Sequence, residues 1–480
     1  MGLIPIYTWT KGVRNFDHRR KVFAKQPWAQ GVVLLTCVIV AMLLANLPAT
    51  KDFYHNLLET NISLFCQSPD GNGIFFPRGM TVEAFINDIL MTVFFFTVGL
   101  EIRREMKVGE LSSVKKAMLP VIAAFGGVVA PALIFFAVNH GTAAATGWGI
   151  PTGSMAFLTE DNSTATDIAF AVGILSILGD RVPVSLKVFL TALAIADDLI
   201  AILVVALFYG GQINFILLGI AVLVIIFAVR MNKLGEKRGA FYMVCAIIVW
   251  SLFYYAGIHS TMSGVVMAFL VPMAPRYQRA YFNRKEKQYM RRIAEYDALS
   301  SESDVFPNGP QRHCLRRISV VSKGTMGMSY HLEHILEPWV NFLIMPIFAL
   351  ANAGVEIPDI SYFNVFNFDS ALGSVGMGIF FGLLIGKPLG ISLASFLAIK
   401  FHAGEMPAKA SWKMLIAVAC LGGIGFTMSI FVDTLSFGDQ LPEVTAKLRD
   451  MGKVAVLLGS LSAGVLGSIV INIVHKIENR

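Results

Sequence analysis

Charge is scarce in this chain: Asp, Glu, Lys and Arg make up 15% of its 480 residues, against about 25% in ordinary soluble domains. That shortage excludes a water-solvated enzyme with an ionic surface, and no stretch has the composition of a soluble catalytic domain. Cysteine is scarce too. The five, Cys37, Cys66, Cys245, Cys314 and Cys420, are scattered, three of them inside apolar runs. They offer neither a disulfide framework nor a CxxC metal or redox pair, and read as small hydrophobes. No cleavable leader is expected. The first 27 residues are polar and basic, and the apolar stretch after them is long enough to stay in a bilayer.

What is abundant is apolar: 55% of the residues are hydrophobic and mean hydropathy is +0.64. These residues come in runs of about 20, the length that carries a helix across roughly 30 Å of hydrocarbon. Twelve spans can be drawn, at 30–47, 82–100, 118–138, 164–178, 184–209, 213–229, 239–255, 260–272, 331–352, 376–400, 414–432 and 453–474. The expected fold is an all-α polytopic membrane protein, a single transmembrane domain over 1–480.

The formal net charge of +7 could suggest nucleic acid, but its placement says membrane. The tail 1–29 holds six Lys or Arg, 101–117 five, 230–238 four and 275–329 eleven, whereas 139–163, 210–212 and 353–375 hold none. Positive loops stay in the cytoplasm, so both termini are expected there. Two loops stand out. Residues 61–77 carry Asp70-Gly71-Asn72-Gly73 between short apolar stretches, a β-hairpin signal. Residues 275–329 are polar, basic and without clear apolar periodicity, and are expected to be a mobile cytoplasmic segment.

Three charges stand where none belongs. Asp197 and Asp198 lie about 13 residues into their span, roughly 20 Å along it. Each costs around 3 kcal/mol there on insertion scales. Lys387 sits mid-run in L-I-G-K-P-L-G, and needs a counter-charge. Pairing it with one aspartate leaves an acid over, and a spare charge in lipid points to function. Carboxylate oxygens suit a hard cation. A carboxylate that accepts either a proton or Na+ can exchange one for the other if it opens to each side in turn. As helix glue the three groups would simply satisfy one another.

A second pointer is interruption. The span at 164–178 carries S-T-A-T-D-I-A-F, with Thr166 and Asp167 near its start, and is too short to cross alone. The span at 414–432 carries Gly422, Gly423 and Gly425, which invite an unwound segment. Paired interrupted spans mark transporter sites built on inverted repeats. By themselves the glycines are equally served by close helix packing.

These stretches resemble the NhaA-type sodium/proton antiporter family: F-F-F-T-V-G-L-E-I-R-R-E from Phe94, A-T-D-I-A-F-A-V-G-I-L from Ala165, L-A-I-A-D-D-L-I-A-I from Leu193, L-I-G-K-P-L-G-I-S from Leu384 and G-G-I-G-F-T-M-S-I-F from Gly422. They run in family order over nearly the whole chain. The resemblance implies about twelve transmembrane helices with two interrupted, crossing helices. It implies electrogenic export of Na+ (or Li+) against H+ in a bacterial inner membrane, by a secondary active transporter and not an enzyme, with no cofactor and no nucleic-acid partner. Asp197 and Asp198 match the cation- and proton-binding acids, Lys387 the lysine that pairs with one of them, and Thr166 and Asp167 the helix crossing. Glu101, Glu105, Glu333 and His334 match a cytoplasmic mouth tied to pH response, and His259 a histidine tied to the same response. The 61–77 hairpin matches a ribbon through which copies dimerise.

The chain departs from the family pattern at 152–163, inserted after Pro151, in the length of 275–329, and at Glu337, where some relatives carry histidine. Blander readings stand beside these. Glu101, Arg103, Arg104 and Glu105 have the placing of interface charges, and His331, Glu333, His334 and Glu337 the spacing of a weak metal motif. Asp88 reads as a hydrogen-bonded structural acid. Two other functions are weighed. One is the same architecture carrying another solute. The other is an intramembrane aspartyl protease, for which the G-x-G-D signature is absent.

Overall fold

A computed structural model of the chain describes residues 26–62, 80–146, 166–208, 213–297, 307–357, 371–436 and 442–478. Helix α1 is Pro27–Asn46, followed by the short surface helix α2, Lys51–Glu59. Helices α3 (Val82–Lys107) and α4 (Val114–Thr146) come next. The interrupted α5 spans only Ile168–Leu178, and α6 is Val184–Phe208. Helices α7 (Phe215–Lys233), α8 (Gly239–Ala256) and the short α9 (Met262–Leu270) precede a pair, α10 (Arg279–Asp297) and α11 (Gly309–Thr325). Then come α12 (Met328–Asn352) and α13, which runs from Ala371–Phe381 through Gly382–Gly386 into Lys387–Lys400. The broken helix α14 (Trp412–Leu421) and α15 (Phe426–Ser436) leads to α16, Pro442–Glu478.

Among the described residues eight helices are long and apolar enough to cross a membrane, and α14–α15, bent by 49°, makes a ninth. Large apolar side chains face outward along them, such as Ile39 and Leu43 on α1 and Phe215, Leu223 and Phe227 on α7. Such a girdle suits hydrocarbon and would be a liability in water. Inside, one core joins α1, α3, α12, α15 and α16, and a second joins α4, α5, α6, α13, α14 and α16. Lys and Arg gather at one end, hereafter the basic end: Arg104 and Lys107 close α3, Arg230 and Lys233 close α7, and Lys400 closes α13. Arg103 ties α3 to the end of α9 by donating to the Ala268 carbonyl at 3.1 Å.

Glycine sets how close two of these helices come. A Cβ on Gly390 of α13 would overlap the Gly126 carbonyl of α4, so the backbones meet with no side chain between them. Besides the π turn at Phe85–Leu90 of α3, two helices widen into π turns just ahead of a proline, at Val340–Ile344 before Pro346 and at Gly382–Gly386 before Pro388. Proline removes an N–H and crowds the carbonyl four residues back, which lies within the widened turn in both of these. The Gly382–Gly386 turn delivers Lys387 to the interior.

One expectation is corrected. The basic segment 275–329 is not an unstructured loop: α10 and α11 pack together as a helical hairpin. Asn308 caps α11 in a reciprocal capping box with Gln311, whose side chain also donates to Asp297 at the end of α10, at 2.6 Å. The signal was weak because the buried stripe of α11, Gln311, Cys314 and Val321, is thin among charged residues. The 61–77 hairpin lies outside the described residues from 63 onward, as does the insertion 152–163. At the hairpin's base Asn61 and Thr81 form an antiparallel bridge.

Candidate functional site

The break between α14 and α15 leaves carbonyls and N–H groups that a membrane interior cannot satisfy with water. Other helices supply the partners. Thr166 donates its hydroxyl to the Gly422 carbonyl at 2.9 Å, and the Asp167 N–H donates to the Ile424 carbonyl at 2.7 Å. Ser460 of α16 accepts the N–H groups of Gly425 and Phe426, both at 3.1 Å. Asp167 then caps two helices at once. Its Oδ1 accepts the Phe170 N–H of α5 at 3.2 Å, and its Oδ2 accepts the Thr427 N–H at 3.2 Å and the Thr427 hydroxyl. One carboxylate therefore faces the N-termini of α5 and α15, whose partial positive charge it offsets.

Ser460 thus holds the break together. Ser460→Ala removes the acceptor of two buried N–H groups, a loss of about 1–3 kcal/mol each. The expected result is a lower melting midpoint in detergent, with Ser460→Thr close to the unmodified protein.

Next to this crossing lie the three charges of the apolar runs, all buried: Asp197 and Asp198 are 1% exposed and Lys387 is fully covered. Lys387 Nζ donates to Asp197 Oδ2 at 2.6 Å, and the Thr166 N–H donates to the same oxygen at 2.7 Å. Asp198 is differently placed. The Oδ1 of each acid has no hydrogen-bond partner among the described residues, but it is Asp198 that lines a cavity of about 400 Å³, shared with Asp167, Thr191 and Thr427. The cavity extends toward the basic end past Glu101, Gln30, Asn341 and Glu337. Adjacent residues on α6 point about 100° apart, so one acid meets α13 while the other meets open space.

Glu101, Glu105 and Glu333 gather around Arg104, which lies 2.6 Å from Glu333, 3.2 Å from Glu105 and 3.9 Å from Glu101. His334 stands on the exposed side, its ring stacked on Tyr330. His259 is not part of this mouth. It lies between α8 and α9, bonded to the Thr261 hydroxyl at 2.7 Å and edge-on to Phe431. Asp88 accepts from Ser260 at 2.8 Å, as a structural acid would. Sequence reasoning missed Thr427 and Ser460, whose hydroxyls carry no signal until the crossing is known. It also missed Asp433, which stands one residue past the drawn end of its span.

Fold and site together define a polytopic membrane protein with a buried pair of acids reached from one end. The chain belongs to the Na+/H+ antiporter 1 family, whose profile matches residues 21–471. It is similar to the Na(+)/H(+) antiporter NhaA of Sulfurimonas denitrificans, 38% identical over 471 residues, covering 98% of this chain and 99% of that one. The NhaA of Salmonella arizonae is 36% identical over 451 residues, with 94% and 96% covered. That of Wolinella succinogenes is 38% identical over 443 residues, with 92% and 90% covered. The resemblance read from the five motifs is borne out.

Proposed function

We propose that this protein is a secondary active transporter that exports Na+ (or Li+) in exchange for imported H+, electrogenically and by alternating access, and so contributes to sodium and pH homeostasis. The observation that carries this reading is Asp198: a buried carboxylate with an unpartnered oxygen on the wall of a cavity, beside a second carboxylate already held by a lysine. Membership of the antiporter family and the printed activity of the relatives support it.

Without sodium, Asp198 holds a proton and Asp197 is paired with Lys387. Sodium arriving through the cavity takes the oxygens of Asp198 and draws on Asp197 as a second hard ligand. Asp198 then loses its proton. Lys387, parted from its counter-charge in a medium that penalises a lone ammonium, loses another. Two protons leave as one cation binds, and the reverse follows at the other end. One net charge crosses per cycle, which makes the exchange electrogenic. Glu101 and Glu337 draw cations toward the mouth, and Arg104 with Glu105, Glu333 and His334 links that mouth to pH. His259, far from the mouth, would act on the pH response from the opposite half.

The basic end would face the cytoplasm of a bacterial inner membrane, and two copies would pair through the 61–77 hairpin. Light-scattering mass in detergent, before and after removal of 63–77, tests the pairing; an unchanged dimer overturns it. In vesicles holding an imposed proton gradient, added Na+ or Li+ is expected to dissipate the gradient. No response to either ion at any pH would refute the exchange.

A further inference from the structure

The half of the molecule away from the basic end contains a second buried acid that the exchange described above does not use. Asp433 is 2% exposed, on α15. It lies six residues beyond Thr427, about 9 Å along the helix whose start Asp167 holds at the crossing. Helix α16 passes beside it. Any side chain at Gly452 would overlap the Asp433 carboxylate, so the acid packs directly on that backbone. The charged groups that act on it electrostatically are Lys453, Arg449 and Asp450, all on α16. Lys453 is itself buried, at 5% exposure, and has Glu83 of α3 within electrostatic reach.

This cluster is covered but incompletely paired. Asp433 Oδ2 and Arg449 Nε are both buried with no hydrogen-bond partner among the described residues. Polar groups left so are strongly disfavoured, and each calls for an unseen partner such as water or an ion. Between the cluster and the crossing stands Phe431, packed against Phe95, Phe348 and His259 with ring centroids 5.4, 6.1 and 5.9 Å away. Among the described residues, the lining of the cavity at Asp198 continues toward the basic end. On the far side of the crossing, Phe431 and the rings around it thus stand ahead of an unsatisfied acid.

We infer that the route to the far side runs along the seam between α15 and α16, and that Asp433 is the acid on that route which receives the ion passing to or from Asp198. Arg449 and Lys453 hold the carboxylate while the seam is closed, and water admitted from the far side completes its hydrogen bonds when the seam opens. This inference rests on the antiport reading and adds to it an exit-side acid.

The test is sided kinetics in oriented proteoliposomes, with sodium presented at either face of the full-length protein. Asp433→Asn keeps the shape and removes the charge. It is expected to raise KM for sodium at the Asp433 face about tenfold, the worth of one charge-assisted hydrogen bond, and to leave KM at the basic face within about twofold of the unmodified protein. Asp433→Glu should recover most of the loss. Lys453→Gln, which leaves the acid in place, should move the same constant and not the other. Equal effects at both faces, or none at either, would overturn the inference, because a merely structural residue lowers turnover without regard to side. The unmodified protein and Asp198→Ala are run alongside. If the unmodified protein fails to exchange, the antiport reading itself falls, and this inference with it.

Discussion

Asp198→Ala is expected to abolish sodium-driven proton movement while leaving the protein folded. Asp198 contributes no described hydrogen bond from Oδ1 and takes no part in the ion pair with Lys387. Its removal therefore costs the fold little and relieves a buried acid of an unsatisfied oxygen. Transport is another matter. Of the acids beside the crossing, Asp167 cannot replace it, since both its oxygens are engaged in capping, and Glu101 and Glu337 line the cavity only toward its basic end. The expected loss is roughly 100-fold or more, the upper range for one charged hydrogen-bonding group. It is read as sodium-induced gradient dissipation in vesicles, with thermal melting in detergent as the check on folding. Exchange at the unmodified rate would remove Asp198 from the mechanism.

Lys387→Ala is expected to do the opposite to stability. It strands the Asp197 carboxylate in a fully buried site with only the Thr166 N–H to hold it. Breaking one half of such a pair costs about 3–5 kcal/mol, so the melting midpoint should fall sharply. Replacing both, as Asp197→Asn with Lys387→Gln, removes both charges and keeps an acceptor for Thr166. This double variant should melt close to the unmodified protein. It should also retain sodium/proton exchange but move no net charge, because the proposed mechanism takes its second proton from the lysine. A potential-sensitive dye in the same vesicles distinguishes the two outcomes. A double variant that still generates a membrane potential would show that the second proton travels elsewhere.

The most legible parts of this protein were those where charge interrupts hydrocarbon. Asp197, Asp198, Lys387 and Asp167 stand out because each costs free energy in an apolar run, and Gly422, Gly423 and Gly425 because they cluster where a helix should continue. Which acid would meet the lysine was not legible, because adjacent residues are equivalent until the position of α13 is known. Nor was the double capping by Asp167, which depends on two elements some 260 residues apart meeting. The hairpin α10–α11 is not legible because three buried residues in a helix of 17 leave a faint stripe. Asp433 obeys the same rule as Asp197, a charge against an apolar run, but it stands at the edge of its run, where a charge is ordinary. His259 shared a supposed role with the mouth residues, yet the turn after α8 puts it elsewhere.

Proton release on sodium binding is the most direct measurement. Purified protein in weakly buffered detergent solution is titrated with NaCl, against choline chloride, while solution pH is followed. The unmodified protein should release protons as sodium binds, and Asp198→Ala should release none. Sodium binding with no proton released, or equal release from the variant, would contradict a shared carboxylate site.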